Sequence, residues 1–210
     1  MPFTIDERAI VPRSLIAEVL VDGTLDAWLS PIQDAAPDGG EWGPRVLDLC
    51  TGNGSLAVLA AMAWPTAQVT ATDLSDDALA VARLNVERHG LGERITLRSG
   101  DGLAAVRGRC FDLILCNPPY VNNTSMAALP PEYRAEPALA LAGGRDGMDF
   151  IRPLLHGAAA HLGAQGALVL EIGHERAHFE QAFGDLPVVW LPTSAGDDQV
   201  LLIERADLPT

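Results

Sequence analysis

The sequence predicts an α/β fold: a doubly wound, mostly parallel sheet that ends in an antiparallel C-terminal strand. Three patterns predict it. From residue 45 onward, short β-branched or aliphatic runs alternate with stretches of helical periodicity, and such alternation implies parallel strands, right-handed crossovers and helices on both faces. A glycine-rich turn directly follows the first of these runs, the place where a parallel sheet accommodates a nucleotide-like ligand. The last two strand-like runs have no helix between them, so they must lie antiparallel.

Residues 14–29 predict a leading helix, which Ser14 can cap and in which Leu15, Ile16, Val19 and Leu20 fall at apolar helical spacing. Residues 30–44, with three Pro and three Gly, read as a loop or linker. Residues 45–49 are the first buried strand, 55–63 a helix stopped near Pro65, and 68–72 the second strand. The helix over 75–89 has Ser75 at its N-cap, Asp76 and Asp77 on the positive end of its dipole, and Gly90 as its stop. Residues 95–98 and 111–116 are the third and fourth strands. Residues 117–144 hold five Pro and little periodicity, and a loop of that length inside a domain is usually functional. A helix over 149–162, a strand over 167–172, a short helix over 174–183 and strands over 188–191 and 200–204 complete the chain. There is no internal repeat. The expected organisation is a segment of residues 1–44 packed on one domain of residues 45–210, a length ample for a continuous core.

The formal charge is −14, and every basic residue is Arg. So acidic a surface repels phosphate backbones, so no direct nucleic-acid binding is expected. The longest apolar run, Leu56 to Trp64, has nine residues, less than half a membrane span. Asp6, Glu7 and Arg8 interrupt the N-terminus as a signal peptide. Cys50, Cys110 and Cys116 show neither disulfide-framework nor CxxC spacing. A soluble cytoplasmic protein without a membrane partner is expected.

Asp48-Leu-Cys50-Thr51-Gly52-Asn53-Gly54 lies where the first strand turns into the first helix, and Ala57 completes a G-x-G-x-x-A pattern. Asp73 follows Gly52 by 21 residues at the tip of the second strand, where a carboxylate can accept both hydroxyls of an adenosine ribose, with Leu74 beside it. Two details favour S-adenosylmethionine over a dinucleotide. Asp48 adds a second carboxylate near the turn, useful beside an ammonium or sulfonium and unhelpful beside a pyrophosphate. Asp101, between Gly100 and Gly102, can reach an adenine amino group, although a turn aspartate is the bland alternative.

Asn117-Pro118-Pro119-Tyr120 ends the fourth strand. A conjugated amino group is a poor nucleophile because its lone pair is delocalised. Accepting its two N–H hydrogens, on the Asn117 side-chain oxygen and the Pro118 carbonyl, directs that lone pair along an S–CH₃ axis. Pro119 has no N–H and biases Pro118 toward extended geometry. Tyr120 offers a flat face to a planar target. No strong base is required, and alignment of this kind can be worth roughly 7–11 kcal/mol.

On these two motifs the chain resembles the class I methyltransferases with an Asn-Pro-Pro-Tyr motif, and within them the protein-glutamine methyltransferases that act on peptide-release factors or a ribosomal protein. Nearly the whole chain takes part in the resemblance. It includes residues 5–14 (IDERAIVPRS), Glu136-Pro137 followed by Ala138-Leu139, Gly143 to Met148 (GGRDGM) and, more weakly, Glu171-Ile-Gly173. The DER and VPRS wording, the DLCTG turn and the GDDQV ending are closer to the branch whose target is the third large-subunit ribosomal protein. The resemblance implies a Rossmann-like sheet, S-adenosylmethionine held by Asp48, residues 50–54, 73–74, 101–102 and Asn117, and methylation of a glutamine side-chain amide nitrogen. Cys50 stands where general members have Gly. Members also carry an N-terminal helical domain that helps grip the substrate, which is not expected within these 210 residues.

Two alternatives accompany this reading: methylation of an exocyclic amine of adenine or guanine, and a cofactor-binding domain without turnover. His174-Glu-Arg-Ala-His178 matches H-E-x-x-H, but the predicted helix is short and no third ligand stands out, so a solvated helix start is the expectation and no metal is assigned. His89, His156 and His161 read as surface or cap residues, and Cys116 as a small buried hydrophobe. Arg13 can contact substrate or a cofactor carboxylate, or simply start a surface helix.

Overall fold

The structure, a computed structural model, describes residues 1–34, 42–130 and 136–209. Among them, seven strands form one sheet: β1 (Arg45–Leu49), β2 (Gln68–Asp73), β3 (Ile95–Ser99), β4 (Phe111–Cys116), β5 (Leu162–Glu171), β6 (Val189–Thr193) and β7 (Gly196–Glu204). Their order is β3-β2-β1-β4-β5-β7-β6. The first five are parallel, and β7 runs antiparallel to both β5 and β6.

Side chains alternate between two faces, as the pleat requires. Val46, Leu113, Leu115, Val169 and Leu202 point to one core. Leu47, Leu49, Ile114, Leu168 and Leu201 point to the other. The first core is covered by α1 (Ile16–Val21), α2 (Asp26–Asp34) and α3 (Ser55–Ala63), with Val86 from α4 (Asp76–Arg88). The second is covered by α6 (Ile151–Ala158) and by Phe179 of α7 (Arg176–Phe183). A sheet buried on both sides explains the nearly uninterrupted apolar wording of β4 (FDLILC).

Some boundaries differ from those expected. The leading helix is two helices: Gly23 takes φ +80° and the Asp22 carboxylate accepts the Thr24 N–H at 2.9 Å, which ends α1. Buried Leu25 and Leu29 hold α2 against the first core, so the chain stays helical through Pro31 to Asp34; residues 35–41 of the expected linker lie outside the described residues. Ser75 caps α4 by accepting the Ala78 N–H. Ser14 also accepts the Ile16 N–H, at 3.3 Å, while its own hydroxyl donates to Glu171 at 2.6 Å. β5 starts at Leu162, paired with Phe111, so the preceding helix ends earlier than its apolar spacing suggests. The loop over 117–144 contains a short helix, α5 (Asn123–Ala127), and a parallel bridge from Val121 to Ala142; its residues 131–135 lie outside the described residues.

Asp48 is the buried polar centre of this arrangement. It sits on β1 facing α3 and is fully buried. One of its oxygens, Oδ2, accepts the Thr51 hydroxyl and the Ala57 N–H at 3.0 Å, so it pins the turn between β1 and α3 from beneath. Its other oxygen, Oδ1, has no partner among the described residues. Burial, opposed by these two hydrogen bonds, pushes its pKa up to about 7. A carboxyl group whose folded pKa is raised stabilises the fold fully below its ordinary range, and that contribution is lost as pH rises through 7. At about 1.4 kcal/mol per unit, the loss is up to about 4 kcal/mol. Thermal midpoints measured from about pH 3.5 to 9 are therefore expected to match for the wild type and Asp48→Asn only below about pH 4. They should separate progressively between about pH 4 and 7, with the variant the more stable and the gap constant above about pH 7. A gap that does not change between about pH 4 and 7 would refute the burial argument.

Candidate active site

Strand order reverses between β1 and β4, so the connections leaving their C-terminal ends diverge and leave a crevice. The crevice is a cavity of about 650 Å³. Its walls are the β1–α3 turn, the tips of β2 and β3, residues 117–121, the end of β5 and residues 8–15 of the N-terminal segment.

Within the β1–α3 turn, Cys50, Gly52 and Gly54 take φ values of +61°, +56° and +80°. Cys50 is the non-glycine residue with positive φ among the described residues. A side chain in that region costs roughly 1–2 kcal/mol, which explains why general members of the resembling family place Gly there. The turn is held by Thr51 N–H to Thr72 O at 2.9 Å and by the Asn53 amide donating to Ile10 O at 2.8 Å. Asn85, buried on α4, donates to Asn53 O at 2.8 Å and accepts the Thr4 N–H at 2.7 Å. This residue, which sequence reasoning missed, ties the turn to the N-terminal segment. Its signal was a lone Asn on the apolar face of a helix.

Asp73 lies on the cavity wall. It accepts the Gly52 N–H on Oδ2 at 2.8 Å and the Ser75 N–H on Oδ1 at 2.9 Å. A carboxylate can accept about four hydrogen bonds, so capacity for a diol remains. Leu74, Asp101, Gly102, Cys50, Thr51, Asn53 and Asn117 share the same cavity. Asp48 does not: the carboxylate expected beside a sulfonium is beneath the turn, committed to Thr51 and Ala57. Phe150, at the start of α6, faces the cavity with its ring 3.8 Å from where a Cβ on Gly102 would stand. An aromatic residue before a helix carried no signal in the sequence.

Asn117, Pro118, Pro119 and Tyr120 all line the cavity. The Asn117 side chain has no hydrogen-bond partner among the described residues, and it is half-buried. The Tyr120 ring lies directly on Gly173: a Cβ there would come within 2.4 Å of Tyr120 Cε2, so only glycine fits beneath the ring. The Tyr120 hydroxyl donates to Glu171 Oε1 at 3.3 Å. Glu171 is buried, which raises its pKa against the opposing pull of the Ser14 hydroxyl. Arg13 donates to both oxygens of Glu136, at 2.5 and 2.6 Å, an ion pair joining the N-terminal segment to the loop after Tyr120. Cys116, just before Asn117, is fully buried, and burial drives its thiol pKa well up.

The H-E-x-x-H stretch is a strut. Glu175 is buried, accepting the Asn122 amide at 2.7 Å and contacting His178 Nδ1 at 2.6 Å. His174 lies on the cavity wall. Among the described residues no third ligand joins them.

Residues 32–129 match the family model described as the methyltransferase small domain. The chain is 55% identical over 209 residues to the ribosomal protein uL3 glutamine methyltransferase of Bordetella pertussis, covering 99% of this chain and 67% of the relative. It is 52% identical to the protein of the same name from Burkholderia pseudomallei, covering 99% of this chain and 67% of that one. The chain thus spans about two thirds of the length of these relatives. Among solved structures, a methyltransferase from Pyrococcus furiosus superposes with a TM-score of 0.64 at 20% identity, covering 97% of this chain and 88% of that one. The N-terminal domain of human METTL16 in complex with SAH does so with a TM-score of 0.60 at 16% identity, covering 95% and 73%. Those two likenesses concern the fold alone, whereas the identity to the two named relatives extends over nearly the whole of this sequence: the chain is a methyltransferase and belongs to the ribosomal protein uL3 glutamine methyltransferase family.

Proposed function

We propose that this protein methylates the side-chain amide nitrogen of a glutamine in ribosomal protein uL3, using S-adenosylmethionine, in the cytoplasm. The observation that carries the reading is the placement of Asn117-Pro118-Pro119-Tyr120 in the same cavity as the β1–α3 turn and Asp73, with the Asn117 side chain unengaged among the described residues. Residues 45–210 serve as the methyltransferase domain; of the segment 1–44, residues 1–34 pack on it and residues 8–15 supply a wall of its cavity.

The residues fit the cofactor. A cavity of about 650 Å³ is within the usual size for small-molecule sites and can take a nucleoside together with an inserted side chain. Asp73 suits the ribose hydroxyls, Asp101 with Gly102 the adenine edge, and the Cys50–Gly54 turn, with Thr51 and Asn53, the amino-acid end. When bound, the cofactor supplies a methyl group on a positively charged sulfur.

The chain's own residues then align the acceptor. Asn117 Oδ1 and the Pro118 carbonyl accept the two amide N–H hydrogens, drawing the nitrogen toward tetrahedral geometry. Pro119 keeps that carbonyl from being consumed by a local N–H. Tyr120 holds the plane of the carboxamide, and Gly173 lets its ring lie flat against the wall. The new N–C bond would form as the S–CH₃ bond breaks to leave a neutral thioether, and the nitrogen, acidified by the transfer, would release its proton to water, so no strong base is needed. The formal charge of −14 suits a basic ribosomal protein and opposes nucleic acid, which disfavours an adenine or guanine acceptor.

Incubation of the protein with labelled cofactor and purified uL3 is expected to label one glutamine, located by mass spectrometry. Asn117→Ala should lower kcat/KM by about 10²–10³-fold, the size of losing one preorganised hydrogen-bonding group, with a much smaller loss of cofactor affinity by calorimetry. Full labelling by the variant would contradict the assignment. Asp73→Asn, which keeps an acceptor but removes the charge, is expected to weaken cofactor binding by about 10–100-fold; an unchanged Kd would remove Asp73 from the site.

A further inference from the structure

Glu171, at the C-terminal end of β5, is 3% exposed and has no ion pair among the described residues. The partners of its carboxylate are neutral donors from two distant parts of the chain. Oε2 accepts the Ser14 hydroxyl at 2.6 Å and the Leu15 N–H at 2.9 Å. Oε1 accepts the Tyr120 hydroxyl at 3.3 Å. One carboxylate thus holds the N-terminal wall of the cavity with one oxygen and the acceptor-clamping ring with the other. The same wall is held from across the cavity by Glu136, through the two bonds from Arg13 and the Val11 N–H at 3.4 Å. Burial makes each of these bonds consequential, because a buried acceptor deprived of a donor cannot turn to water instead.

We propose that Glu171 is a positioning residue that links the seating of residues 11–15 to the orientation of the Tyr120 ring. The Tyr120 ring also rests against Gly173, and the bridge at Val121 follows it in the chain. The ring contact limits its tilt, and the hydroxyl bond ties the far end of the ring to Glu171. With residues 11–15 unseated, Glu171 loses two of its donors and its carboxylate is free to rotate, and the hydroxyl anchor moves with it. The clamp is then complete only when the N-terminal wall is closed. The kinetic consequences rest on the methyl-transfer reading; the structural link does not.

The test uses Glu171→Gln, Tyr120→Phe, the double variant and Ser14→Ala. Glu171→Gln is expected to lower kcat about tenfold with the cofactor Kd within about twofold, and to lower it less than about twofold further in the Tyr120→Phe background. Equal losses in both backgrounds, or no loss, would overturn the proposal, since a merely structural role is additive with Tyr120. Amide hydrogen exchange on the protein without substrate gives a readout independent of turnover. Ser14→Ala leaves the carboxylate and the catalytic motif in place, so it also serves should Glu171→Gln not fold. It is expected to speed exchange at residues 11–15 and also at residues 120–122, and a change confined to 11–15 overturns the link. If the wild type methylates no glutamine in uL3 yet both segments respond together, the functional reading fails and the link stands.

Discussion

Two adjacent parallel strands that send the chain to opposite sides of the sheet are the constraint from which the site follows. Because β1 continues into α3 on one face and β4 continues into the 117–144 segment, no local connection fills the gap between their C-terminal ends. A parallel sheet must have such a gap wherever its winding direction reverses. The turn after β1 and the tetrapeptide after β4 lie one strand apart, linked by the pairing of Leu49 with Cys116. The register that places a hydrophobic residue on each face thus also brings two polar turns to a single opening.

The opening is shaped chiefly by carboxylates acting inward. Asp48 holds the β1–α3 turn from below, and Asp73 holds it from the side through Gly52. Glu171 and Glu136 hold the N-terminal segment, and Glu175 holds Asn122. In a chain with a formal charge of −14, much of the acidity near the site is therefore spent on backbone N–H, amide and hydroxyl donors. This division explains why Asp73 can face a ligand while Asp48, close in sequence to the same turn, cannot: Asp48 lies on the buried pleat of β1, and Asp73 lies at the exposed tip of β2.

Much of this was legible before any coordinates. The strand order of events, the capping of α4 by Ser75, the positions of Gly52, Gly54 and Asp73, and the Asn-Pro-Pro-Tyr turn could all be read because each depends on neighbours a few residues away. The errors fell where distant packing overrode local preference. Pro31 stayed inside α2 because Leu25 and Leu29 are buried. β5 began early because Phe111 offered Leu162 a pairing partner. Ser14, whose local chemistry is that of a helix cap, is claimed mainly by Glu171, 157 residues away.

By itself the sequence determined the buried apolar strands, the left-handed positions of the glycine turn and the chemistry available at residues 117–120, since side-chain polarity, backbone sterics and hydrogen-bonding capacity are properties of residue type and spacing. Which of those groups face the cavity was decided only by tertiary structure. The inward turn of Asp48, the meeting of Ser14, Tyr120 and Glu171, and the entry of Phe150 into the wall each depend on elements brought together from opposite ends of the chain. No local rule encodes which buried carboxylate finds which donor; that is settled when the two faces of the sheet are packed.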